Sequence, residues 1–509
     1  MTPDIAIDMR EVRKYFPSSD VLAADDVDFQ VRQGEIHALV GENGAGKTTL
    51  MNILYGLVRA DHGDVQVNGE TVHIHHPNDA IRAGIGMVHQ HFKLIPSFTI
   101  AENVMLGIEP GQMGFINAGE EAQAVEDLGE NFGLPVDPNA VVADISVGMQ
   151  QRVEILKTLQ RDARILVLDE PTAVLTPQEV RELYNVIRQL ASDGRTIVLI
   201  THKLVEVKAV ADRVSVMRNG RMIATHDVAD VSIRDMANLM VGREVVLRVD
   251  KEKASPKDPV LEVKNLLVAS AGGIPAVFGV SLDLRAGEIL GIAGVSGNGQ
   301  TELVEALCGL RAVEGGSVLL GGEDVTLSTV RARRQRGMAH IPEDRMHMGL
   351  NLRTSLDENL IVTVYQRSPW SERGIFRFRA IREFALRIVR SFNVRSARLG
   401  EEIHTLSGGN LQKLVLGREL DGHPGLIVAN QPTRGLDIGS IEFVHKTLVE
   451  ARDAGAAILL VSVELDEIFS LSDRVAIMFE GRIMAVHDIE DLDEESIGLL
   501  MAGHQEPEP

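Results

Sequence analysis

Cysteine is almost absent from this chain, which has only Cys308 among its 509 residues. A single thiol cannot form an internal disulfide or hold an iron–sulfur cluster, and such usage fits a reducing cytoplasm. Aromatic residues make up only 4% of the chain, too few to predict platforms on which nucleic-acid bases stack. The net charge of −22 repels phosphate backbones and anionic lipid headgroups. We therefore expect no nucleic-acid partner.

Long apolar runs are also missing. None approaches the roughly 20 residues that span a bilayer, and the longest, such as AAILLVSV, have the size of a strand. The N-terminal segment MTPDIAIDMREVRKYF is charged throughout and lacks the apolar stretch of a secretory signal. We therefore expect any membrane role to be peripheral. One stretch is locally basic, and we expect it to form a solvated helix face: Arg331, Arg333, Arg334 and Arg336.

The sequence does contain an internal repeat. GEIHALVGENGAGKTTL (34–50) returns as GEILGIAGVSGNGQTEL (287–303), and GIGMVHQ (84–90) returns as GMAHIPE (337–343), both at an offset of 253 residues. ADRVSVMRNGR (211–221) returns as SDRVAIMFEGR (472–482) at an offset of 261. The second copy therefore has about eight extra residues, which we place near QRSPWSERGIFRF.

Each copy alternates short β-rich runs with helical stretches, which is typical of a mainly parallel sheet covered by helices. We predict an α/β fold with one domain over 1–250 and a second over 260–505. Residues 251–259, a polar segment containing proline, would form the linker. Residues from about 95 to 145 lack strand signals, so we expect a helical subdomain beside the sheet.

The first copy contains the phosphate-binding pattern G-x-x-x-x-G-K-[ST] between a β-rich run and a helical run. Its glycines let backbone N–H groups surround phosphate oxygens at a helix N-terminus. Lys47 would pair with the β- and γ-phosphates, and Thr48 would ligate Mg²⁺. We predict that nucleotide is bound in this copy by Gly41, Asn43, Gly44, Ala45, Gly46, Lys47, Thr48 and Thr49.

The segment RILVLDEPT (164–172) predicts a buried strand that ends in two acids. Asp169 could hold Mg²⁺ through water, and Glu170 could orient and polarise the water that attacks the γ-phosphate. His202, which ends the strand-like TIVLITH, could contact the same phosphate and water. Alone, each of these features is more often structural. In this order after a P-loop, they favour catalytic roles for Lys47, Glu170 and His202.

The order of these motifs resembles the ATP-binding-cassette (ABC) family of P-loop ATPases, over nearly the whole chain and twice. The resemblance implies that ATP and Mg²⁺ are the cofactors. It implies that Gln90 is the Q-loop residue, which contacts the metal and senses the permease. It also implies that ISVGMQQR (145–152) stands at the position of the family's LSGGQ signature, and that Phe16 (or the adjacent Tyr15) stacks on adenine.

The second copy departs from this pattern at nearly every chemical position. Gln300 replaces the P-loop lysine, although Thr301 remains, and no aromatic residue precedes this P-loop. The other replacements are Glu343 for the Q-loop glutamine, Asn430 for the magnesium aspartate, Gln431 for the glutamate and Val463 for the histidine. A lost lysine–phosphate pair is worth on the order of 4 kcal/mol before desolvation. A glutamine cannot take a proton from water, so we expect negligible hydrolysis in this copy.

The signature motif shows the opposite pattern. LSGGN is intact in the second copy, where it supplies Ser407, Gly408, Gly409 and Asn410. In the first copy the equivalent segment (146–149) has Val147 in place of a glycine and Met149 in place of Gln or Asn. Glycine allows the backbone to approach the γ-phosphate closely, and a valine side chain obstructs this approach.

In the ABC family two cassettes pack head to tail, and each ATP lies between one P-loop and the other signature. The resemblance implies the same pseudo-dimer for the two copies here. One composite site would then combine all the intact residues: Lys47, Thr48, Gln90, Asp169, Glu170, His202, Ser407, Gly408, Gly409 and Asn410. The other site would combine nearly all the altered ones. This segregation favours one hydrolytic and one degenerate site over two independent, half-working cassettes.

Longer segments resemble a narrower group, the fused ATPase subunits of bacterial simple-sugar and nucleoside importers: MVHQHFKLIP, LDEPTAVLTPQEV, LSGGN and QPTRGLD. The segments SVGMQQ and QPT favour the nucleoside branch over the ribose/galactose branch. The resemblance implies two integral membrane permease subunits and an extracytoplasmic substrate-binding lipoprotein as partners. It implies a peripheral location at the cytoplasmic face of the bacterial plasma membrane.

Two other functions stay open on the sequence. A soluble tandem ABC ATPase could act on ribosomes or DNA, although such relatives usually keep both sites or need long charged helices, zinc cysteines or coiled coils. A nucleotide-dependent regulator without turnover is the other alternative. The intact Glu170 and His202 argue against it.

Overall fold

The fold was obtained as a computed structural model, and the structure describes residues 4–17, 20–89, 92–112, 115–172, 175, 177–244, 251–270, 272–295, 297–394, 399–492 and 494–501. The chain forms two compact units, Met1–Val245 and Val246–Pro509. The segment predicted as a linker begins at Lys251, which belongs to the second unit. The Lys251 ammonium donates to the Leu471 carbonyl at 3.0 Å and lies 3.1 Å from the Asp473 carboxylate.

The elements of the first unit follow the repeat pattern of the sequence. Its strands are β1 (Ile5–Phe16), β2 (Val21–Arg32), β3 (Ile36–Val40), β4 (His62–Val67), β5 (Glu70–Thr71), β6 (Ile85–Val88), β7 (Gly111–Gln112), β8 (Phe115–Ile116), β9 (Ile165–Asp169), β10 (Thr196–Thr201), β11 (Arg213–Arg218) and β12 (Arg221–Asp227). Its helices are α1 (Lys47–Tyr55), α2 (Pro77–Arg82), α3 (Ile100–Met105), α4 (Ala118–Asn131), α5 (Val147–Leu159), α6 (Pro177–Ser192), α7 (Leu204–Val210) and α8 (Ile233–Val241).

The second unit repeats these elements. Its strands are β13 (Pro259–Ala269), β14 (Pro275–Arg285), β15 (Ile289–Ala293), β16 (Gly315–Leu320), β17 (Glu323–Asp324), β18 (Met338–Ile341), β19 (Ser371–Glu372), β20 (Ile375–Phe376), β21 (Leu426–Asn430), β22 (Ala457–Ser462), β23 (Arg474–Phe479) and β24 (Arg482–Asp488). Its helices are α9 (Gln300–Cys308), α10 (Val330–Gln335), α11 (Leu356–Ile361), α12 (Phe378–Ser391), α13 (Gly408–Leu420), α14 (Ile438–Asp453), α15 (Leu465–Leu471) and α16 (Glu494–Met501).

The core of each unit is a six-stranded sheet. The strand order is β12-β11-β3-β10-β9-β6 in the first unit and β24-β23-β15-β22-β21-β18 in the second, so the topology is the same. All neighbouring pairs in the first sheet are parallel except β11 with β12. The central strands β3, β9 and β10 are buried along their whole length, as expected for a parallel sheet covered on both faces. The predicted α/β fold is confirmed.

Each unit also has a four-stranded antiparallel sheet, in the order β2-β1-β4-β5 or β14-β13-β16-β17. The helical segment predicted over about 95–145 is present as α3, α4 and a 3-10 turn at Val142–Asp144. It also contains a small hairpin, β7–β8, that the sequence did not predict, because strands of two residues have no periodicity to detect.

The extra residues of the second unit are spread over more than one loop. Helix α11 begins at Leu356 and α3 at Ile100, an offset of 256. The hairpin strands β19 and β7 begin at Ser371 and Gly111, an offset of 260. Some of the additional residues therefore precede α11, where a turn of π-helix covers Arg345–Gly349, and others lie between α11 and β19.

The expectation of a solvated arginine face was wrong for Arg333 and Arg334. Arg333 is 1% exposed, and its guanidinium donates to the Ala306 and Leu307 carbonyls at 2.7 and 2.6 Å. Arg334 pairs with the buried Glu419 at 2.5 Å. The physical reason is that the last carbonyls of a helix, here α9, attract a cation.

In the part of the chain that the structure describes, no helix combines the length and apolar character needed to cross a bilayer.

Candidate nucleotide sites

The P-loop of the first unit joins the buried strand β3 to helix α1. Gly46 caps the helix with a φ of 104°, and a Cβ at this position would lie 2.0 Å from the Ala23 carbonyl oxygen. Only glycine fits such a backbone conformation and such a close approach. Asn43, Gly44 and Thr48 are exposed along the loop and the first turn of α1. The loop thus presents backbone N–H groups at a helix N-terminus, the arrangement that binds phosphate.

Lys47 is the cation of this loop. Its side chain is only 5% exposed, and Nζ donates to the Gly41 carbonyl at 2.7 Å and to the Glu42 carbonyl at 3.0 Å. These two bonds hold the ammonium group within the loop. The positive charge is therefore positioned where the P-loop would hold phosphate oxygens.

Asp169 ends β9 beside the start of α1. Its carboxylate is 3% exposed and is hydrogen-bonded by Thr48. Burial and the neighbouring Glu170 charge raise the pKa of Asp169 to about 6, against the lowering effects of Thr48 and Lys47. Among the described residues, the buried Oδ1 atom has no hydrogen-bond partner. A buried carboxylate oxygen left open beside a threonine hydroxyl fits Mg²⁺, which takes oxygen ligands.

Glu170 follows Asp169 in a left-handed backbone conformation, with a φ of 47°. Its N–H donates to the Ile200 carbonyl at 2.9 Å, and its Oε1 lies 2.9 Å from His202 Nδ1. Burial alone would raise the pKa of Glu170. The hydrogen bond and charge of His202, together with the charges of Lys47 and Lys203, bring this pKa below its usual value. Glu170 is therefore held as a carboxylate that can accept a hydrogen bond from water.

Glu206 is a positioning residue that the motifs did not indicate. Its carboxylate accepts hydrogen bonds from the hydroxyls of Thr172 and Thr201, the latter at 2.9 Å. Thr172 follows the two acids and Thr201 precedes His202, so Glu206 ties the two strand ends together. The repeat gives a signal for it, because Thr433 and Glu467 make the equivalent bond at 2.9 Å in the second unit.

The structure does not test the predicted roles of two residues of the first site. Gln90 lies outside the described residues. Phe16 is half-buried at the end of β1, where it pairs with Val21, and Lys14 Nζ lies 5.4 Å from its ring centroid. Val21 is two residues from Ala23, whose carbonyl oxygen lies against Gly46. Phe16 thus ends the strand pair that borders the P-loop, and stacking on adenine stays a prediction.

The second unit keeps the backbone of this site and changes its chemistry. Gly299 caps α9 with a φ of 96°, as Gly46 caps α1. Gln300 is 7% exposed, and its Nε2 donates to the Val295 carbonyl at 3.0 Å, so it occupies the place of Lys47 without the charge. Gln431 has a φ of 48°, and its Oε1 accepts a weak bond from the Val463 N–H at 3.4 Å. A P-loop conformation therefore remains here without the acids, the lysine or the histidine.

At the Q-loop position of the second unit, Glu343 forms an ion pair with Arg434. Arg345 also contacts this group, because its guanidinium donates to the Arg434 carbonyl at 2.7 Å.

The signature residues begin helices α5 and α13. Ser146 caps α5 by accepting from the Met149 N–H at 3.2 Å, and Ser407 caps α13 and also accepts from Asn410 Nδ2 at 3.0 Å. Val147 is 42% exposed on the first turn of α5. At the equivalent position of α13, a Cβ on Gly408 would lie 2.7 Å from Arg345 Nη2.

A Cβ on the next residue, Gly409, would lie 2.2 Å from Ser440 Oγ. A side chain at Gly409 would therefore clash with Ser440, whereas one at Gly408 would have to displace the end of the flexible Arg345 side chain. At this signature position α5 carries the exposed side chain of Val147, whereas α13 has Gly408 and no side chain.

The first unit brings together a phosphate-binding loop, a buried carboxylate suited to Mg²⁺, and a Glu170–His202 pair suited to activate water. This combination on a parallel sheet defines the class of protein, a P-loop ATPase with a repeated core.

Comparisons with known proteins give the family. The family described as "ABC transporter" matches residues 24–173 and 277–434. The chain is 48% identical to the guanosine import ATP-binding protein NupO of Bacillus subtilis, over 99% of each chain. It is 46% identical to the nucleoside import ATP-binding protein NupA of Lactococcus lactis, over 99% of each. It is 42% identical to the glucose import ATP-binding protein TsgD13 of Haloferax volcanii, over 99% of this chain and 96% of the relative.

The chain therefore belongs to the ABC transporter family, and it is an ATP-binding ATPase of that family.

Proposed function

We propose that this chain is the ATP-hydrolysing subunit of an importer for nucleosides or simple sugars, with nucleosides favoured. The proposal is supported by the full-length similarity to import ATP-binding proteins, of which the two at 46–48% identity are named for guanosine and nucleosides. The relative named for glucose import is 42% identical. Action on ribosomes or DNA is not favoured by these relatives.

The observation that carries the hydrolytic function is the Glu170–His202 pair beside Asp169 and Lys47. The P-loop and Lys47 bind the phosphates of ATP. Glu170 accepts a hydrogen bond, and then the proton, from the attacking water, while His202 holds the Glu170 carboxylate in position. Thr48, Asp169 and Gln90 would hold Mg²⁺, which when bound neutralises the charge that develops on the phosphates. The desolvated carboxylate of Asp169 suits this role, because binding a cation removes the cost of its buried charge.

We further propose that this site is completed by Ser407, Gly408, Gly409 and Asn410, the intact signature of the second unit. The support is the distribution of substitutions. The first unit has intact catalytic residues and Val147 in its signature, whereas the second has Gln300 and Gln431 with an intact signature. The complementary combination would be the degenerate site, with negligible turnover.

The partners follow from the importer proposal. The chain would lie at the cytoplasmic face of the bacterial plasma membrane as a peripheral protein. It would be held there by two integral permease subunits. An extracytoplasmic lipoprotein would select the solute. These partners are proposed from the import relatives and from the family resemblance.

The direct test is ATPase activity of the chain purified with its permease. Glu170→Gln should lower kcat by about 10²–10⁴-fold while ATP still binds, because the amide cannot take a proton. The matched control is Gln431→Ala, at the equivalent position of the second unit. Its kcat should stay within about twofold of wild type, because a glutamine there already cannot take a proton from water. Unchanged activity in Glu170→Gln would refute the catalytic assignment. Co-purification with ribosomes or DNA instead of an integral permease would refute the importer.

A further inference from the structure

The second unit has an exposed hairpin for which the ATPase chemistry has no use. It consists of the turn before β19, the strands β19 and β20, and the start of α12, and we call residues 365–382 the aromatic–basic hairpin. Every residue from 372 to 379 is exposed, and the apolar side chains Ile375, Phe376 and Phe378 are 72%, 44% and 74% exposed. Contiguous exposed apolar groups of this kind mark an interaction surface.

Among the residues whose exposure the structure describes, exposed aromatic rings are rare outside this hairpin. Over the described residues, the exposed aromatic side chains are Tyr15, Tyr365, Phe376 and Phe378, so three of the four belong to this hairpin. Phe376 lies between the other two, with ring centroids 6.2 Å from Tyr365 and 6.2 Å from Phe378. The rings therefore form one patch.

The patch is surrounded by positive charge, although the whole chain has a net charge of −22. Residues 367–383 contain five arginines and two glutamates: Arg367, Arg373, Arg377, Arg379, Arg382, Glu372 and Glu383. Arg377 pairs with Glu372, and Arg379 lies 3.0 Å from Glu383. Within the described part of the chain, the other three arginines have no acidic partner, so the patch carries an uncompensated positive charge.

The equivalent element of the first unit has the opposite charge. Helix α4 contains five acidic residues and no lysine or arginine, whereas α12 contains four arginines and one glutamate. The positive surface is thus not a general requirement of the fold. It is a property of the second unit.

The hairpin is fixed to the core of the second unit. The Trp370 ring lies 4.4 Å from the ring of Phe384, which is 5% exposed, and the Arg377 N–H donates to the Trp370 carbonyl at 2.9 Å. These contacts hold the strands in place while their apolar side chains remain in solvent.

We propose that the aromatic–basic hairpin binds the surface of a bilayer that contains anionic lipids. Aromatic and aliphatic side chains insert at the boundary between headgroups and acyl chains, and arginines pair with the lipid phosphates while their stems cover apolar surface. The net charge of the chain repels such a surface, so this local cluster supplies the contact and orients the chain, with the second unit facing the lipid. The proposed importer function would place the chain at a membrane, but lipid binding does not depend on that function.

The test uses the purified full-length chain without a permease. Sedimentation with phosphatidylcholine vesicles containing about a quarter phosphatidylglycerol should show binding that falls as added salt shortens the Debye length below ~10 Å. Pure phosphatidylcholine vesicles should bind little. Each arginine near the surface should contribute roughly fivefold, so the double variant Arg373→Glu, Arg382→Glu should lower binding by at least ~25-fold.

A second variant, Phe376→Ser, Phe378→Ser, should also lose binding, through the apolar contribution. The matched control is Arg82→Glu, Arg234→Glu, two arginines of the first unit that are 78% and 63% exposed and give the same change in net charge. It should bind nearly as wild type, and basal ATPase activity should be unchanged in all three variants.

The proposal is overturned if wild type does not bind the anionic vesicles, or if the control loses as much binding as the arginine variant. It is also overturned if the hairpin variants bind vesicles normally but no longer co-purify with the permease. That result would assign the surface to a protein partner and would leave the importer function intact.

Discussion

At the end of β9, two adjacent carboxylates have pKa values that are shifted in opposite directions. The pKa of Asp169 is raised to about 6 by burial and by the charge of Glu170. The pKa of Glu170 is lowered, because the effects of His202 and nearby lysines outweigh that of burial. The pair thus separates two tasks. Asp169 has an unsatisfied charge suited to a cation, and Glu170 stays ionised at neutral pH to accept a proton.

We expect Asp169→Asn to stabilise the protein at high pH and to abolish hydrolysis. The pKa of Asp169 is higher in the folded chain than in the unfolded chain, so protonation of Asp169 favours folding. This contribution to stability is complete below the unfolded pKa and is lost as pH rises through about 6. At pH 8 the ionised form costs roughly 2–3 kcal/mol, which the amide avoids.

The free energy of unfolding, measured by urea denaturation without nucleotide, should therefore rise in Asp169→Asn at pH 8 and change little near pH 4. The control is Asp193→Asn, the same substitution at an exposed position, which should change the free energy of unfolding little. Equal effects of Asp169→Asn at both pH values would contradict the assignment of a buried, destabilised charge.

His202→Ala should shift the pH profile of kcat as well as lower kcat. His202 supplies the hydrogen bond and charge that lower the pKa of Glu170, and without them burial would raise this pKa. The acid limb of the profile should therefore move to higher pH. Val463→Ala, at the equivalent position of the second unit, should leave the limb in place. An unmoved limb in His202→Ala would show that His202 does not act through Glu170.

The positions of the candidate site residues were predictable because each belongs to a motif with fixed spacing. Lys47, Asp169, Glu170 and His202 all lie at the strand ends and loop that the sequence indicated. The role of Glu206 was not predictable from those motifs, because it depends on two threonines that meet only in the folded sheet. The bond from Gln300 to the Val295 carbonyl was likewise invisible, since the substitution alone signals only a lost charge.

Among the elements, the two signature helices α5 and α13 differ most sharply at one position. Gly408 leaves the start of α13 open, and Val147 fills the same place on α5. If the signature of the second unit completes the hydrolytic site as proposed, Gly408→Val should abolish ATPase activity, because a valine side chain there would obstruct the close approach of the backbone to the γ-phosphate. The new Cβ would also lie 2.7 Å from Arg345 Nη2.

Val147→Gly is the matched reverse change and should leave activity within about twofold, since the proposed partner site lacks its own acids and lysine. Circular dichroism and thermal unfolding would show whether the valine variant is folded. If folded Gly408→Val keeps full activity, the intact signature does not serve the hydrolytic site.

The large elements were predictable from the sequence and the small ones were not. Strands buried on both faces, such as β9 and β10, are continuous apolar runs, so the parallel sheets could be predicted. The hairpins β7–β8 and β19–β20 have strands of two residues, too short for any periodicity. The burial of Arg333 was missed because a run of arginines usually marks solvent, whereas the carbonyls at the end of α9 offered a better partner.

For the whole molecule, the repeat predicted two copies of one fold, and the strand orders confirm it. The copies differ in chemistry far more than in backbone, since Gly46 and Gly299 cap equivalent helices with φ values of 104° and 96°. Catalytic capacity is therefore expected to be unequal between two similar units. The central claim is that all ATP turnover depends on the P-loop of the first unit.

The most direct measurement of that claim compares two matched variants, Lys47→Ala and Gln300→Ala, for permease-stimulated ATPase activity. Loss of a lysine–phosphate pair worth on the order of 4 kcal/mol before desolvation should lower turnover by at least ~100-fold in Lys47→Ala. Gln300→Ala should retain most of the activity of the wild type. Equal losses in the two variants, or the hydrolysis of two ATP molecules per transport cycle by the wild type, would contradict the account.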